Sequence, residues 1–224
     1  MVDWELTDNG YEVKNSNAKC AVCFLHGLGA SASDFMDIAN NVVLQFKGEL
    51  NCLLAQAESI PVSINQNLIM PAWYDIYSLT DFTKQDIDGM ERSARRIASW
   101  TKRQNKQGVD SKNIILIGFS QGGAIALFSV LSGIVKIGHV VGIATYLPAA
   151  QYLSQIDCFT DFKLNLMHGK YDSVINPAVA IASSKKLSKM LSEKINIRWS
   201  ENDHTITLEQ IEYLMSVLQT SFNL

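Results

Sequence analysis

The stretch Ile114-Ile115-Leu116-Ile117-Gly118-Phe119-Ser120-Gln121-Gly122-Gly123-Ala124 restricts the folds open to this chain more than any other. Four branched apolar residues in a row read as a strand buried on both faces, and the Ala/Ile/Leu-rich run from Gln121 onward reads as a buried helix. One serine lies between them. Gly118 stands two residues before it and Gly122 two after, the spacing a strand-to-helix turn needs when its central residue is held in a strained, non-helical conformation. This is the G-x-S-x-G nucleophile elbow: the turn lifts the Ser120 hydroxyl clear of the sheet, and the Gln121 N–H opens a helix where an oxyanion can bind. Gly-rich strand-to-helix turns also serve tight packing or phosphate binding, so the rest of the chain has to decide.

The 224 residues suffice for one α/β domain with a real core, and a single domain over 1–224 is expected. A formal net charge of -3 with 18% charged residues supplies no basic excess for nucleic acid or anionic lipid, so no nucleic-acid partner is expected. The acidic start, Met-Val-Asp-Trp-Glu-Leu-Thr-Asp, lacks a basic segment followed by an apolar one, and no apolar run reaches spanning length; a cytoplasmic protein is expected. Cys20 and Cys23 have C-x-x-C spacing but fall in the strand-like Cys20–Leu25, where positions three apart point to opposite faces. That argues against a shared metal and favours buried free thiols in a reducing compartment.

In chain order, residues 1–14 read as one or two edge strands, and 19–25 as the first apolar strand. The latter ends in the glycine turn His26-Gly27-Leu28-Gly29 before a helical segment to about Gln45. The turn has neither G-x-G-x-x-G nor G-K-[ST], which argues against a dinucleotide site. Its alternative role is to complete an oxyanion hole through the Leu28 N–H, with His26 bracing the loop. After a strand at 50–54 comes a segment from about 55 to 82 without clear helical periodicity, the length of a lid or binding loop. It is rich in apolar residues, among them Leu68, Met70 and Trp73, which pack either as a small hairpin on the body or as the lining of an acyl groove. An amphipathic helix at 86–106, the elbow, and strands near 137–145, 162–169 and 195–199 follow, with helices at 177–192 and 207–222. Repeated βα units with apolar strands mean a mostly parallel sheet covered on both faces, without a large cap domain.

In α/β-hydrolases the nucleophile, acid and histidine follow one another along the chain, each after a strand. Of the four histidines, His26 precedes Ser120, while His139 and His168 leave little chain for an acid, so His204 remains. Asp172 alone among the intervening acids follows an apolar strand in a glycine-containing turn; Asp203 adjoins His204 and is poorly placed to orient its ring. In this assignment His204 takes the Ser120 proton, Asp172 fixes the tautomer, and the N–H groups of Leu28 and Gln121 meet the developing negative charge.

His26-Gly27-Leu28-Gly29, the segment from Pro61 through Asn67 to Met70-Pro71-Ala72-Trp73-Tyr74-Asp75-Ile76, Gly118–Gly123, Leu147-Pro148, His168-Gly169 with Asp172, and His204 together resemble the phospholipase/carboxylesterase family of α/β-hydrolases, whose best-known members are acyl-protein thioesterases. The resemblance covers nearly the whole chain. It implies a cofactor-free serine hydrolase acting on lipophilic esters or thioesters of short to medium acyl chains, with Ser120, Asp172 and His204 as triad and Leu28 and Gln121 as oxyanion donors. Leu68, Met70 and Trp73 would border an acyl groove. Lysophospholipase and protein-depalmitoylating activities are the alternatives, and a non-catalytic binding protein on the same fold a remote one. Some members lie against membranes or dimerise near the groove, so peripheral membrane contact through residues 60–76 and a homodimer are further expectations. The chain departs from the family's usual pattern at Ala55-Gln56-Ala57 and at Asn202-Asp203, where an extra carboxylate adjoins His204.

Overall fold

The computed structural model describes residues 2–78 and 84–222. Short antiparallel strands β1 (Glu5–Thr7) and β2 (Gly10–Val13) lead into β3 (Cys20–Leu25), whose six residues are all buried. A 3-10 turn at Ala32–Phe35 follows, opened by a capping box in which the Ser31 side chain accepts from Ser33 N–H and Asp34 from Ser31 N–H. It runs into α1 (Met36–Gln45) and then β4 (Leu50–Ala55). Strands β5 (Ser59–Val62) and β6 (Leu68–Pro71) pair as a hairpin apart from the main sheet.

Helix α2 (Ile87–Lys106) is capped by Asp86, whose carboxylate accepts from Gly89 N–H at 2.9 Å. The elbow strand β7 (Ile114–Phe119) and α3 (Gln121–Leu131) come next, then β8 (His139–Ile143) and the one-turn α4 (Ala150–Leu153). Strand β9 (Lys163–Gly169), α5 (Pro177–Met190), β10 (Ile197–Ser200) and α6 (Leu208–Phe222) complete the chain. Pro177 occupies the first turn of α5 behind an Asn176 cap, and Thr207 with Gln210 forms a reciprocal pair at the start of α6.

The main sheet has eight strands in the order β1-β2-β4-β3-β7-β8-β9-β10, parallel from β4 onward. Alternation along the strands divides the core in two. Ala21, Cys23, Leu25, Ile114 and Leu116 face α2, α3 and α5, whereas Cys20, Val22, Phe24, Ile115 and Ile117 face α1 and α6. Cys20 and Cys23 accordingly lie on opposite faces as free thiols. Every residue of α3 is buried, because the helix sits between the sheet and α2.

The apolar segment from residue 55 takes the hairpin form of the two arrangements its composition allows. Ser63 donates its N–H and its hydroxyl to Asp75 at 2.7 and 2.5 Å, and Ile64 N–H donates to Ile76 O at 2.9 Å, closing the segment on itself. Residues 79–82 of the segment expected to act as a lid lie outside the described residues.

Candidate active site

The elbow is tight because three glycines let backbone meet backbone. A Cβ on Gly118 would stand 2.3 Å from Gly122 C, one on Gly122 would stand 1.9 Å from Leu25 O, and one on Gly123 would stand 2.7 Å from Thr145 Cβ. No side chain fits at those distances. Ser120 is driven to φ 54, ψ -120, a conformation L-residues rarely hold, and is kept there by Ser120 N–H donating to Ile143 O at 2.9 Å and by the Thr145 hydroxyl donating to Ser120 O at 2.8 Å.

Three side chains from the carboxyl ends of the sheet converge on this turn. His204 Nε2 lies 3.0 Å from Ser120 Oγ, and His204 Nδ1 lies 2.8 Å from Asp172 Oδ2. The Asp172 carboxylate is fully buried, and its other oxygen accepts from the N–H groups of Val174 (3.0 Å) and Ile175 (2.7 Å). Only Oδ2 is left to face the imidazole, so Nδ1 carries the proton and the Nε2 lone pair faces the serine hydroxyl. The ring is 15% exposed and rests against Phe119 with centroids 4.8 Å apart. This arrangement can pass a proton from Ser120 Oγ to His204 while Asp172 offsets the charge that forms.

The other histidines do separate work. His168 donates from Nε2 to Ile175 O at 2.9 Å, and burial lowers its pKa. His26 Nε2 accepts from Ala57 N–H at 3.1 Å, which puts the ring proton on Nδ1, where it bonds Gly27 O at 2.7 Å. Burial lowers the pKa of His26 as well, keeping it in this neutral bracing form. His26 thus holds the glycine loop, as its position before Ser120 suggested. That loop lies against the elbow: a Cβ on Gly27, the residue before Leu28, would stand 3.5 Å from Ser120 Cβ. Gln121 N–H belongs to the first turn of α3, where amides lack an intrahelical partner.

Of the residues expected at an acyl groove, two are near the surface and one is not. Leu68 is 62% exposed, and Met70 Sδ would lie 3.5 Å from a Cβ on Gly29 of the glycine loop. Trp73 instead is buried in the core, its indole Nε1 donating to His26 O at 2.8 Å and its own N–H to Gln121 Oε1 at 3.0 Å. A buried indole needs an acceptor, and the glycine loop supplies one. Gln121 Nε2 also donates to Tyr74 O at 2.8 Å, so one side-chain amide ties the elbow to the chain leaving the hairpin. Gln56 accepts from Ala32 N–H at 3.0 Å and reaches His26, spanning the glycine loop. Sequence reading singled out neither amide for these roles, because both depend on partners far along the chain.

A mostly parallel sheet covered on both faces, with a strained serine between the fifth strand of the sheet order and a buried helix, defines the α/β-hydrolase fold. The chain belongs to the phospholipase/carboxylesterase family, whose sequence model matches residues 10–222. It is 31% identical over 202 residues to acyl-protein thioesterase 1 of Schizosaccharomyces pombe, covering 89% of each chain. To acyl-protein thioesterase 1 of Yarrowia lipolytica it is 32% identical over 205 residues, covering 88% of this chain and 90% of the other. Among solved structures, Zea mays acyl-protein thioesterase 2 superposes with a TM-score of 0.82 at 22% identity, covering 94% of this chain and 97% of that one. The Bacillus cereus carboxylesterase does so with a TM-score of 0.72 at 16% identity, covering 94% and 92%. At those identities the structural likeness speaks for the fold.

Proposed function

We propose that this chain hydrolyses carboxylic esters or thioesters of short to medium acyl chains through an acyl-enzyme on Ser120. The observation that carries the reading is the unbroken chain from Ser120 Oγ through His204 to the buried Asp172 carboxylate. Ser120 Oγ attacks the acyl carbonyl carbon as its proton passes to His204 Nε2. The carbonyl oxygen becomes an oxyanion facing the N–H groups of Leu28 and Gln121, each such donor being worth on the order of a hundredfold in rate. Collapse breaks the bond to the alcohol or thiol, which leaves with the proton from His204. Water, deprotonated by the same imidazole, then attacks the acyl-serine and restores the hydroxyl. No cofactor takes part in these steps.

Leu68 and Met70 would contact the acyl chain, and the hairpin that bears them would serve as its border or lid. Of the alternative substrates, acylated proteins are supported by the acyl-protein thioesterases among the relatives, and lysophospholipids by the phospholipase/carboxylesterase family. A water-facing Leu68 and Ile69 pair at the hairpin also suits peripheral contact with lipid. Free buried thiols fit a cytoplasmic protein.

Ser120→Ala tests the mechanism on paired oxyesters and thioesters of increasing chain length. Turnover should fall by on the order of a million-fold with the fold unchanged by circular dichroism, and His204→Ala added to it should cost almost nothing more. Hydrolysis by folded Ser120→Ala at near-native rate would remove Ser120 as nucleophile.

A further inference from the structure

We propose that Asp203 is a positioning residue which, with Ser173 as partner, sets the separation between the Asp172 loop and the His204 loop. The proposal rests on the triad reading above. Ser173 directly follows Asp172, and Asp203 directly precedes His204. One oxygen, Asp203 Oδ1, accepts from Ser173 N–H at 2.7 Å, from the Ser173 hydroxyl at 2.8 Å and from His204 N–H at 2.7 Å. The Ser173 hydroxyl also lies 3.1 Å from Oδ2. A single carboxylate group is therefore bonded to the backbone beside the acid and to the backbone of the histidine.

Apart from the His204–Asp172 bond itself, three further ties between the two loops enter upstream of both residues. Lys170 N–H donates to Ser200 O at 2.8 Å, Tyr171 N–H donates to Asn202 O at 3.1 Å, and Lys170 pairs with Glu201. They bring the strand ends together; each loop is then held within itself, by Val174 and Ile175 N–H on Asp172 and by Asn202 and Thr205 on Asp203 O. The Asp172 oxygens face other partners, Oδ1 the N–H groups of Val174 and Ile175 and Oδ2 the His204 ring. Asp203 supplies the acceptor for Ser173. Its carboxylate lies at the surface, so the device contributes little to overall stability; its effect is on geometry, and displacement of a reacting group by about 1 Å can cost about a hundredfold in rate.

The test compares native chain, Ser120→Ala, Asp203→Ala, Asp203→Asn, Ser173→Ala and the Asp203→Ala/Ser173→Ala pair in kinetics on p-nitrophenyl butyrate. Proton NMR of the low-field resonance shared by His204 Nδ1 and Asp172 runs alongside. Asp203→Ala should lower kcat by about ten- to a hundredfold with KM within about twofold, the mark of a contribution made in the transition state. Asp203→Asn keeps an Oδ1 acceptor and loses the charge, and should return to within about threefold of native. Ser173→Ala loses only the hydroxyl bonds; its loss should be smaller, about two- to fivefold, and should add nothing to Asp203→Ala. The low-field resonance should stay sharp in Asp203→Asn and broaden in Asp203→Ala.

Asp203→Ala with kcat within about twofold of native, or Asp203→Asn as impaired as Asp203→Ala, would overturn the proposal. If the native chain showed no Ser120-dependent turnover, the hydrolase reading would fall, and the resonance alone would decide: equal sharpness in Asp203→Ala overturns positioning, and selective broadening upholds it. Should Asp203→Ala not fold, Ser173→Ala and Asp203→Asn carry the same comparison.

Discussion

His139 sits within β8 with both ring nitrogens engaged, Nε2 donating to Asn165 Oδ1 at 2.6 Å and Nδ1 accepting from the Ser221 hydroxyl at 2.9 Å. Burial lowers its pKa from 6.5 to about 4. Between those values the unfolded chain holds a proton that the folded chain does not. Stability therefore declines as pH falls from about 6.5 to about 4, by about 3 kcal/mol for this group, and is no longer lost to it below that. Burial acts in the same direction on His26 and His168. Urea denaturation between pH 7 and pH 4 should show the slope, and His139→Gln should flatten it; an unchanged slope would show that other groups carry it. Asp203 acts at lower pH, outside that window: hydrogen bonds from Ser173 hold its carboxyl below the usual range, and what they contribute is lost as pH falls from the ordinary carboxyl range through that lowered pKa. At this scale glycine spacing brought Ser120 forward and chain order brought Asp172 and His204, because each follows a strand and the strands end on one edge. Which way Trp73 faces was not legible, because an aromatic residue in an apolar loop carries no mark of it. Only the acceptor at His26 O decides that.

The hairpin of β5 and β6 divides its residues between support and surface. Asp75 and Gln121 anchor it, while Leu68 and Ile69, 62% and 68% exposed, contribute little burial. Leu68→Ser with Ile69→Ser should therefore change folding stability by about 0.5 kcal/mol or less. The same pair should lose rate on longer acyl chains and lose sedimentation with neutral phosphatidylcholine vesicles. Unchanged chain-length dependence and vesicle binding would show that the hairpin serves neither role. A hairpin on the body was one of the two arrangements the segment's apolar composition allowed in sequence. Its docking was not legible, because Gly29 N–H donating to Pro71 O at 2.8 Å joins residues of separate elements. In the same way the one-turn α4 escaped notice, being too short to show a helical period.

Across the whole molecule the two cores share the sheet, which makes thiol access a measure of how it opens. Cys20, Cys23 and Cys52 are buried, and burial raises their pKa, to about 12 for Cys20, while Cys158 is half-buried. At neutral pH a disulfide reagent should label Cys158 first and the other three only at the rate of global unfolding. Early labelling of Cys20 or Cys52 would mean that the β4 side of the sheet opens by itself. The amino-acid order by itself determined the parallel sheet with two covered faces, the elbow and the chain order of its candidate partners, since these follow from local hydrophobic period, glycine spacing and strand ends. Tertiary structure alone decided that Trp73 braces the glycine loop, that Gln121 ties the elbow to the chain leaving the hairpin, that Gln56 spans the glycine loop, and that Asp203 bonds Ser173 across two loops. Hydrogen bonds between residues tens of positions apart leave no periodic trace along the chain, and polar side chains reveal their partners only when packing has brought the elements together.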